Sequence, residues 1–180
     1  MSISNQLKDI IRRLTGELPT STLVKRGLKV GSNFNRQQGC YIDPTHCFLI
    51  EIGNNVTFSI RVTLLAHDAS TKKILGYTKI GRITVGDNVF VGANTTILPG
   101  VEIGNNVIIG ASSVVTRSIP DNMVAAGNPA KVICSVEDYK AKWTTENRIF
   151  DRSYRFSKAL TAEQIQEMRE ATRDGIAFID

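Results

Sequence analysis

A period of six residues constrains this chain more than any other feature. Written in sixes from Val85, the stretch VGDNVF VGANTT ILPGVE IGNNVI IGASSV VTRSIP puts Val85, Val91, Ile97, Ile103, Ile109 and Val115 in one column, and all six are β-branched. Ile, Leu and Val make up about a quarter of the chain, so six hits in six by chance is on the order of one in several thousand. Gly86, Gly92, Gly104 and Gly110 occupy the next column, and Val89, Thr95, Val101, Val107, Ser113 and Ile119 the column four places after the first. A short fixed period marks a solenoid, and a hexapeptide period marks a parallel β-helix in which each repeat is one short strand plus a corner. The β-branched residue points into a narrow interior. The corner needs left-handed or tight backbone, which Gly, Asn and Asp tolerate, and the corners GNN at 53–55, GDN at 86–88 and GNN at 104–106 supply those residues. A sandwich or ordinary barrel would alternate at period two with irregular turn spacing.

The register continues towards the N-terminus with two interruptions. Ile52, Phe58 and Leu64 are six apart and Val30 and Ile42 twelve apart, but the step from Ile42 to Ile52 is ten and that from Leu64 to Val85 is twenty-one. Neither is a multiple of six, so each gap holds an insertion or a distorted coil. The second contains LLAHDASTKKILGYTK, with one of the chain's two histidines, His67, at its start. A protruding loop over about 68–80 is the simplest reading.

The flanks follow other rules. Leu7, Ile10, Ile11 and Leu14 fall at helical spacing and Gly16 offers a stop, which predicts a short amphipathic helix. After the repeats, Ser135 with Asp138 resembles a capping box ahead of Tyr139 and Trp143 at i, i+4. Thr161 with Gln164 repeats that signal, ahead of Ile165, Met168 and Thr172. The expected organisation is therefore an N-terminal helix and lead-in over 1–26, the β-helix over 27–133 and a helical extension over 134–180. Helices after a solenoid are expected to cover its open end or a neighbouring subunit, because an uncapped β-helix exposes strand edges.

Composition narrows the class of function. The net charge of +5 comes from scattered Lys and Arg, which favours an anionic partner without marking nucleic acid. Three cysteines without a CxxC pair point to reduced thiols and give no structural zinc site. No apolar run is long enough for a membrane span, and MSISNQLKDIIRRL lacks the apolar core of a secretory signal. A cytoplasmic protein is expected.

The stretch GDNVFVGANTTILPGVEIGNNVIIGASSVVTRSIPDNMVAAGNPAKVI resembles the hexapeptide-repeat acyltransferases, and its ending VVTRSIPDNMVAAGNPAKVI is the most selective part. The likeness covers roughly residues 27–133 and is strongest to the O-acetyltransferases of bacterial surface-polysaccharide biosynthesis, with maltose and galactoside acetyltransferases more distant. It implies a mainly β fold, a left-handed parallel β-helix. The hand comes from the resemblance, since the general rule for parallel crossovers favours the right. It also implies a homotrimer, acetyl-CoA as co-substrate and a sugar or a nucleotide- or lipid-linked saccharide as acceptor. His67 matches the family's general base on an extended loop. Ala93 and Ala111 match positions beside the pantetheine arm, Thr116 and Arg117 and also Lys131 after GNPA match further cofactor positions, and Arg117 and Lys131 would meet the CoA phosphates. Two details depart from relatives: His67 lies only three residues after Leu64, and Phe90 stands where many carry Trp.

Acyl transfer to a hydroxyl needs a base near neutrality, and histidine is that base unperturbed. His46, inside IDPTHC, is read as structural, while Asp68 and Glu51 are the candidates for a group orienting His67. Transfer to a sugar amine or to an antibiotic hydroxyl stands as the close alternative. From other classes come a γ-carbonic-anhydrase-like metalloprotein, which needs three histidine ligands where the chain has two histidines, and a non-catalytic β-helix scaffold. No metal is expected.

Overall fold

The computed structural model describes residues 9, 12, 16–143, 149–154 and 159–180. The expected stripe Leu7, Ile10, Ile11 and Leu14 lies outside them. The chain divides into two compact units, residues 1–136 and 137–180.

The first unit is a parallel β-helix whose strands, two or three residues long except for the last of the second face, stack in three faces. The first face aligns Lys29–Val30, Ile50–Ile52, Ile83–Val85 and Glu102–Ile103. Asn35–Arg36, Thr57–Phe58, Phe90–Val91, Ile108–Ile109 and Met123–Gly127 form the second, and Tyr41–Ile42, Thr63–Leu64, Thr96–Ile97 and Val114–Val115 the third. Ladder partners are the repeat equivalents, for example Ile52↔Val85, Phe58↔Val91 and Leu64↔Ile97. The six-residue column is thus the inward column, and Val85, Val91, Ile97, Ile103, Ile109 and Val115 are all buried. The stack ends in a reversal, where Ala130–Ser135 runs antiparallel to Met123–Gly127.

The corners divide their labour differently from the sequence expectation. Left-handed backbone falls on the asparagine two places after the glycine, or after Pro120 in the last coil: Asn33, Asn55, Asn88, Asn106 and Asn122 stack at one corner with φ of 54°, 55°, 57°, 53° and 62°. Their side-chain amides form a ladder, each donating to the next coil at 2.9, 3.1, 3.1 and 3.0 Å. Asn is the L-residue that visits this region most easily. The preceding glycine serves close approach instead, since a Cβ on Gly86 would lie 2.8 Å from both the carbonyl carbon and oxygen of Gly104. Gly86→Ala is therefore expected to cost about 1–3 kcal/mol by overpacking against backbone, read as a lowered thermal midpoint.

At the N-terminal end the inward column holds Arg36 in place of an apolar residue, and it is buried. Its guanidinium donates to the Leu18 carbonyl at 2.9 Å and to the Cys40 carbonyl, and pairs with Glu17 at 3.7 Å. Burial pushes its pKa down from the ordinary value, and the neighbouring Arg12 adds to that. This polar plug, rather than bare apolar interior, meets the segment before the first coil.

The second unit holds most of helix Val136–Trp143, helix Ala162–Ala171 and a parallel pair of strands, Ile149–Phe150 with Phe178–Ile179. Tyr139 and Trp143 meet edge to face at 6.0 Å, and Thr161 with Gln164 forms the expected reciprocal capping box. No helix among the described residues is long and apolar enough to cross a membrane.

Candidate active site

Both interruptions of the repeat leave the β-helix at the same corner, between the third face and the first, in successive coils. The first runs from Asp43 to Leu49, after Ile42; the second leaves after Leu64 and returns at Ile83. Ile42 and Leu64 are ladder partners, and the Asp43 N–H donates to the Leu64 carbonyl at 3.0 Å. Stacking the two departures brings IDPTHC and LLAHD together.

Asp43 turns the first insertion. Its Oδ1 accepts from the Thr45 N–H at 3.0 Å, the Thr45 hydroxyl at 2.8 Å and the His46 N–H at 3.2 Å, so one carboxylate oxygen organises the turn. The residue is completely buried. Helix Thr20–Lys25 supports the insertion from behind: Cys47 Sγ lies 3.6 Å from the Leu23 carbonyl, and Gly27 packs where its own Cβ would come 2.7 Å from that of Phe48.

The other oxygen of Asp43 meets His67. Asp43 Oδ2 lies 2.5 Å from His67 Nδ1, and the imidazole is about one-third exposed. Burial alone would raise the Asp43 pKa, but hydrogen bonds from His67 and from the hydroxyl and N–H groups of the 45–46 turn outweigh it and hold the carboxyl below its ordinary value. Asp43 is therefore an anion that can only accept, which fixes the proton of a neutral His67 on Nδ1 and leaves Nε2 as a lone pair. His67 Nε2 has no partner among the described residues.

The loop after His67 is a built arm. His67–Asp68 pairs antiparallel with Lys79–Ile80 at its base, and between them lie a 3-10 turn at Ala69–Thr71 and a short helix Lys72–Leu75 ended by Gly76 at φ 78°. Asp68 caps the 3-10 turn through the Ser70 N–H and pairs with Lys79 at 2.7 Å; those bonds lower its pKa to about 2. Neither expected orienting group is the one used, since Asp68 faces Lys79 and Glu51 pairs with Lys29 on the first face. The signal that finds Asp43 is topological: both gaps begin one residue after an inward column position of the same face.

Structure divides the five expected cofactor residues between the two edges of the third face. Ala93 and Ala111 stack at the corner between the second and third faces, where the Ser112 N–H donates to the Ala93 carbonyl at 2.7 Å. Lys131 pairs across from Ala126 on the terminal antiparallel strand. Thr116 and Arg117 follow Val114–Val115 at the opposite edge, the one from which the His67 loop leaves two coils earlier, and both are exposed. Ala111 and Thr116 are five residues apart, at most about 17 Å at about 3.3 Å per residue, so a ligand held by both groups of one chain must span the face.

His46 lies beside the pair, its ring centroid 4.8 Å from that of His67. Asp43, His46 and His67 are a group whose ligand atoms lie within 4.8 Å of one another and could hold a cation. It offers two histidines and a carboxylate rather than three histidines, and the Asp43 contact already engages His67 Nδ1.

A family model described as bacterial transferase hexapeptide (six repeats) matches residues 82–117. CapG of Staphylococcus aureus is 50% identical over 99 residues, covering 53% of this chain and 58% of CapG. The putative acetyltransferase YJL218W of Saccharomyces cerevisiae is 35% identical over 153 residues, covering 80% of this chain and 78% of that protein. The chain belongs to the hexapeptide-repeat acyltransferase family. With that membership comes the hand of the coil, and the β-helix is left-handed. Among solved structures, a maltose O-acetyltransferase from Clostridium difficile aligns with TM-score 0.53 and 40% identity, over 61% of this chain and 59% of that one. The matched segments thus span little more than half of CapG and of the Clostridium protein.

Proposed function

We propose that the protein transfers an acetyl group from acetyl-CoA to a hydroxyl of a sugar, with His67 as general base. The observation that carries this reading is the His67 ring, held through Nδ1 by a buried anionic Asp43, with no partner for Nε2 among the described residues, at the edge of a face whose repeats match the transferase hexapeptide model. Relatives named for galactoside and maltose O-acetylation support the sugar hydroxyl as acceptor, and the likeness to polysaccharide O-acetyltransferases supports a surface-polysaccharide precursor.

His67 Nε2 takes the proton from the acceptor hydroxyl as its oxygen forms a bond to the thioester carbonyl carbon. When the C–S bond breaks, the CoA sulfur leaves with the electron pair and receives that proton from the imidazolium. Asp43 compensates the positive charge the ring carries between these transfers. The thioester supplies the activated acyl group and needs no metal. Ala93 and Ala111 give the thin arm of the cofactor a flat edge, Lys131 on that edge meets its phosphates, and Arg117, at the opposite edge of its own chain, reaches them from the neighbouring subunit of the trimer.

A homotrimer is part of the proposal. Ile74, Leu75, Tyr77 and Ile80 on the arm after His67 are all more than 60% exposed, a concentration of apolar surface suited to a second subunit.

The test is acetyl-CoA consumption with methyl β-D-galactopyranoside and maltose, following free thiol and the mass of the product. An acetyl ester is expected; thiol release with no acetylated sugar refutes the reading. In the same assay Arg117→Ala and Lys131→Ala should each raise KM for acetyl-CoA about 10- to 100-fold, since a charge-assisted hydrogen bond contributes about 1.5–3 kcal/mol, and leave kcat little changed.

A further inference from the structure

His46 is unexplained by the dyad. Its side chain is 29% exposed, and its Nδ1 lies 2.9 Å from the Thr45 hydroxyl. That hydroxyl has one proton, and it goes to Asp43 Oδ1, because an ionised carboxylate only accepts. Thr45 therefore accepts from His46, whose proton sits on Nδ1, and His46 Nε2 is a lone pair like His67 Nε2. Asp43 thus fixes the tautomer of both histidines, one directly through Oδ2 and one through Thr45 from Oδ1. Neither Nε2 has a partner among the described residues, and the two rings lie 4.8 Å apart at 38°.

Phe48 extends the row. Its ring is 5.9 Å from that of His46, tilted 41°, and the residue is 54% exposed although it follows the buried Cys47. Gly27, at φ 103° and too close to Phe48 for a Cβ, allows it to stand there. Phe48 thus sets an apolar ring in one row with the two imidazoles.

We infer that His46 and Phe48 bind the acceptor, and that the acceptor is a pyranose with a vicinal diol. This rests on the sugar reading above. His67 Nε2 accepts from the hydroxyl to be acetylated and His46 Nε2 from the hydroxyl on the adjacent carbon, while Phe48 lies against the C–H face of the ring. Two neighbouring hydrogen-bond acceptors match two neighbouring hydroxyls, and a sugar lacking one of them leaves a desolvated lone pair unpaired.

The test compares methyl β-D-galactopyranoside with its four monodeoxy derivatives in wild type, His46→Ala, His46→Gln and Phe48→Ala. In wild type, loss of one hydroxyl abolishes transfer and loss of an adjacent one raises KM about tenfold, the effect of one hydrogen bond of about 1.4 kcal/mol. His46→Ala raises KM for the parent sugar by the same factor and no longer distinguishes it from that adjacent deoxy sugar. His46→Gln, whose amide oxygen accepts, restores part of the discrimination. Phe48→Ala raises KM for every sugar, and KM for acetyl-CoA stays at the wild-type value throughout, which reports an intact fold. If His46→Ala leaves KM unchanged, or penalises parent and deoxy sugars equally relative to wild type, the inference is overturned while the sugar reading stands. If wild type acetylates none of these sugars, the sugar reading falls and this inference with it.

Discussion

His67→Ala is expected to lower kcat by about 10²–10⁴-fold, the range a positioned general base contributes. KM for acetyl-CoA should stay within about twofold, because Ala93, Ala111, Thr116, Arg117 and Lys131 lie on later coils and are untouched. The fold should also persist. His67 lies outside the inward columns and is one-third exposed, and Asp43 keeps the three donors on Oδ1 that shape its own turn. The measurements are steady-state kinetics at saturating acceptor together with circular dichroism. Full activity in a folded His67→Ala protein would remove the general-base role, and a protein that fails to fold would show that the base of the arm carries structural weight.

Much of the β-helix is readable in the sequence because its interior accepts few residue types. Each inward position is reached by a two-residue strand and closed by a corner, so Val85, Val91 and Ile97 repeat at six whatever the outward residues do. The corner chemistry is legible in type but not in role. Gly86 and Asn88 both suit left-handed backbone, but Gly86 instead meets the Gly104 carbonyl across the stack while Asn88 takes positive φ. Propensity alone does not separate these roles, because one is a contact between coils.

The site is half legible for a related reason. His67 stands out as a histidine at a break, but its partner sits twenty-four residues earlier, in the other gap, where the Asp-Pro-Thr signal marks a turn without saying what it faces. Linear distance hides this pairing and coil position reveals it. Ile42 and Leu64 occupy the same inward column of the third face, so Asp43 and Leu65 start the same corner in successive coils. A one-residue offset in either departure would turn Asp43 to the other surface of the coil wall. His46, read from sequence as structural, lies in the same stacked corner. What makes it available for chemistry is the hydroxyl of Thr45, whose commitment to Asp43 is visible only in three dimensions.

Asp43→Asn provides the second large effect and separates orientation from mere presence of the base. Oδ1 receives only donors, two N–H groups and one hydroxyl, so the amide oxygen of the substituted side chain must keep that place. The amide nitrogen then faces His67 Nδ1 and donates to it, which moves the imidazole proton to Nε2 and removes the lone pair that would accept from the acceptor. Shape and packing are preserved while the tautomer is reversed. The comparable swap in a serine-protease triad lowers kcat by about 10⁴, and a loss of about 10²–10⁴ is expected here. Because the two residues act as a unit, Asp43→Asn combined with His67→Ala should be no slower than His67→Ala alone. Acid unfolding gives an independent reading. The Asp43 pKa is lower in the folded protein than its ordinary value of about 3.9, so its charge stabilises the fold above that value, and the contribution is lost as pH falls through the folded pKa. Wild type should therefore lose stability more steeply than Asp43→Asn below about pH 4, as measured by urea unfolding at a series of pH values. Parallel acid profiles with wild-type kcat in Asp43→Asn would show that Asp43 neither fixes the tautomer nor holds its charge against His67.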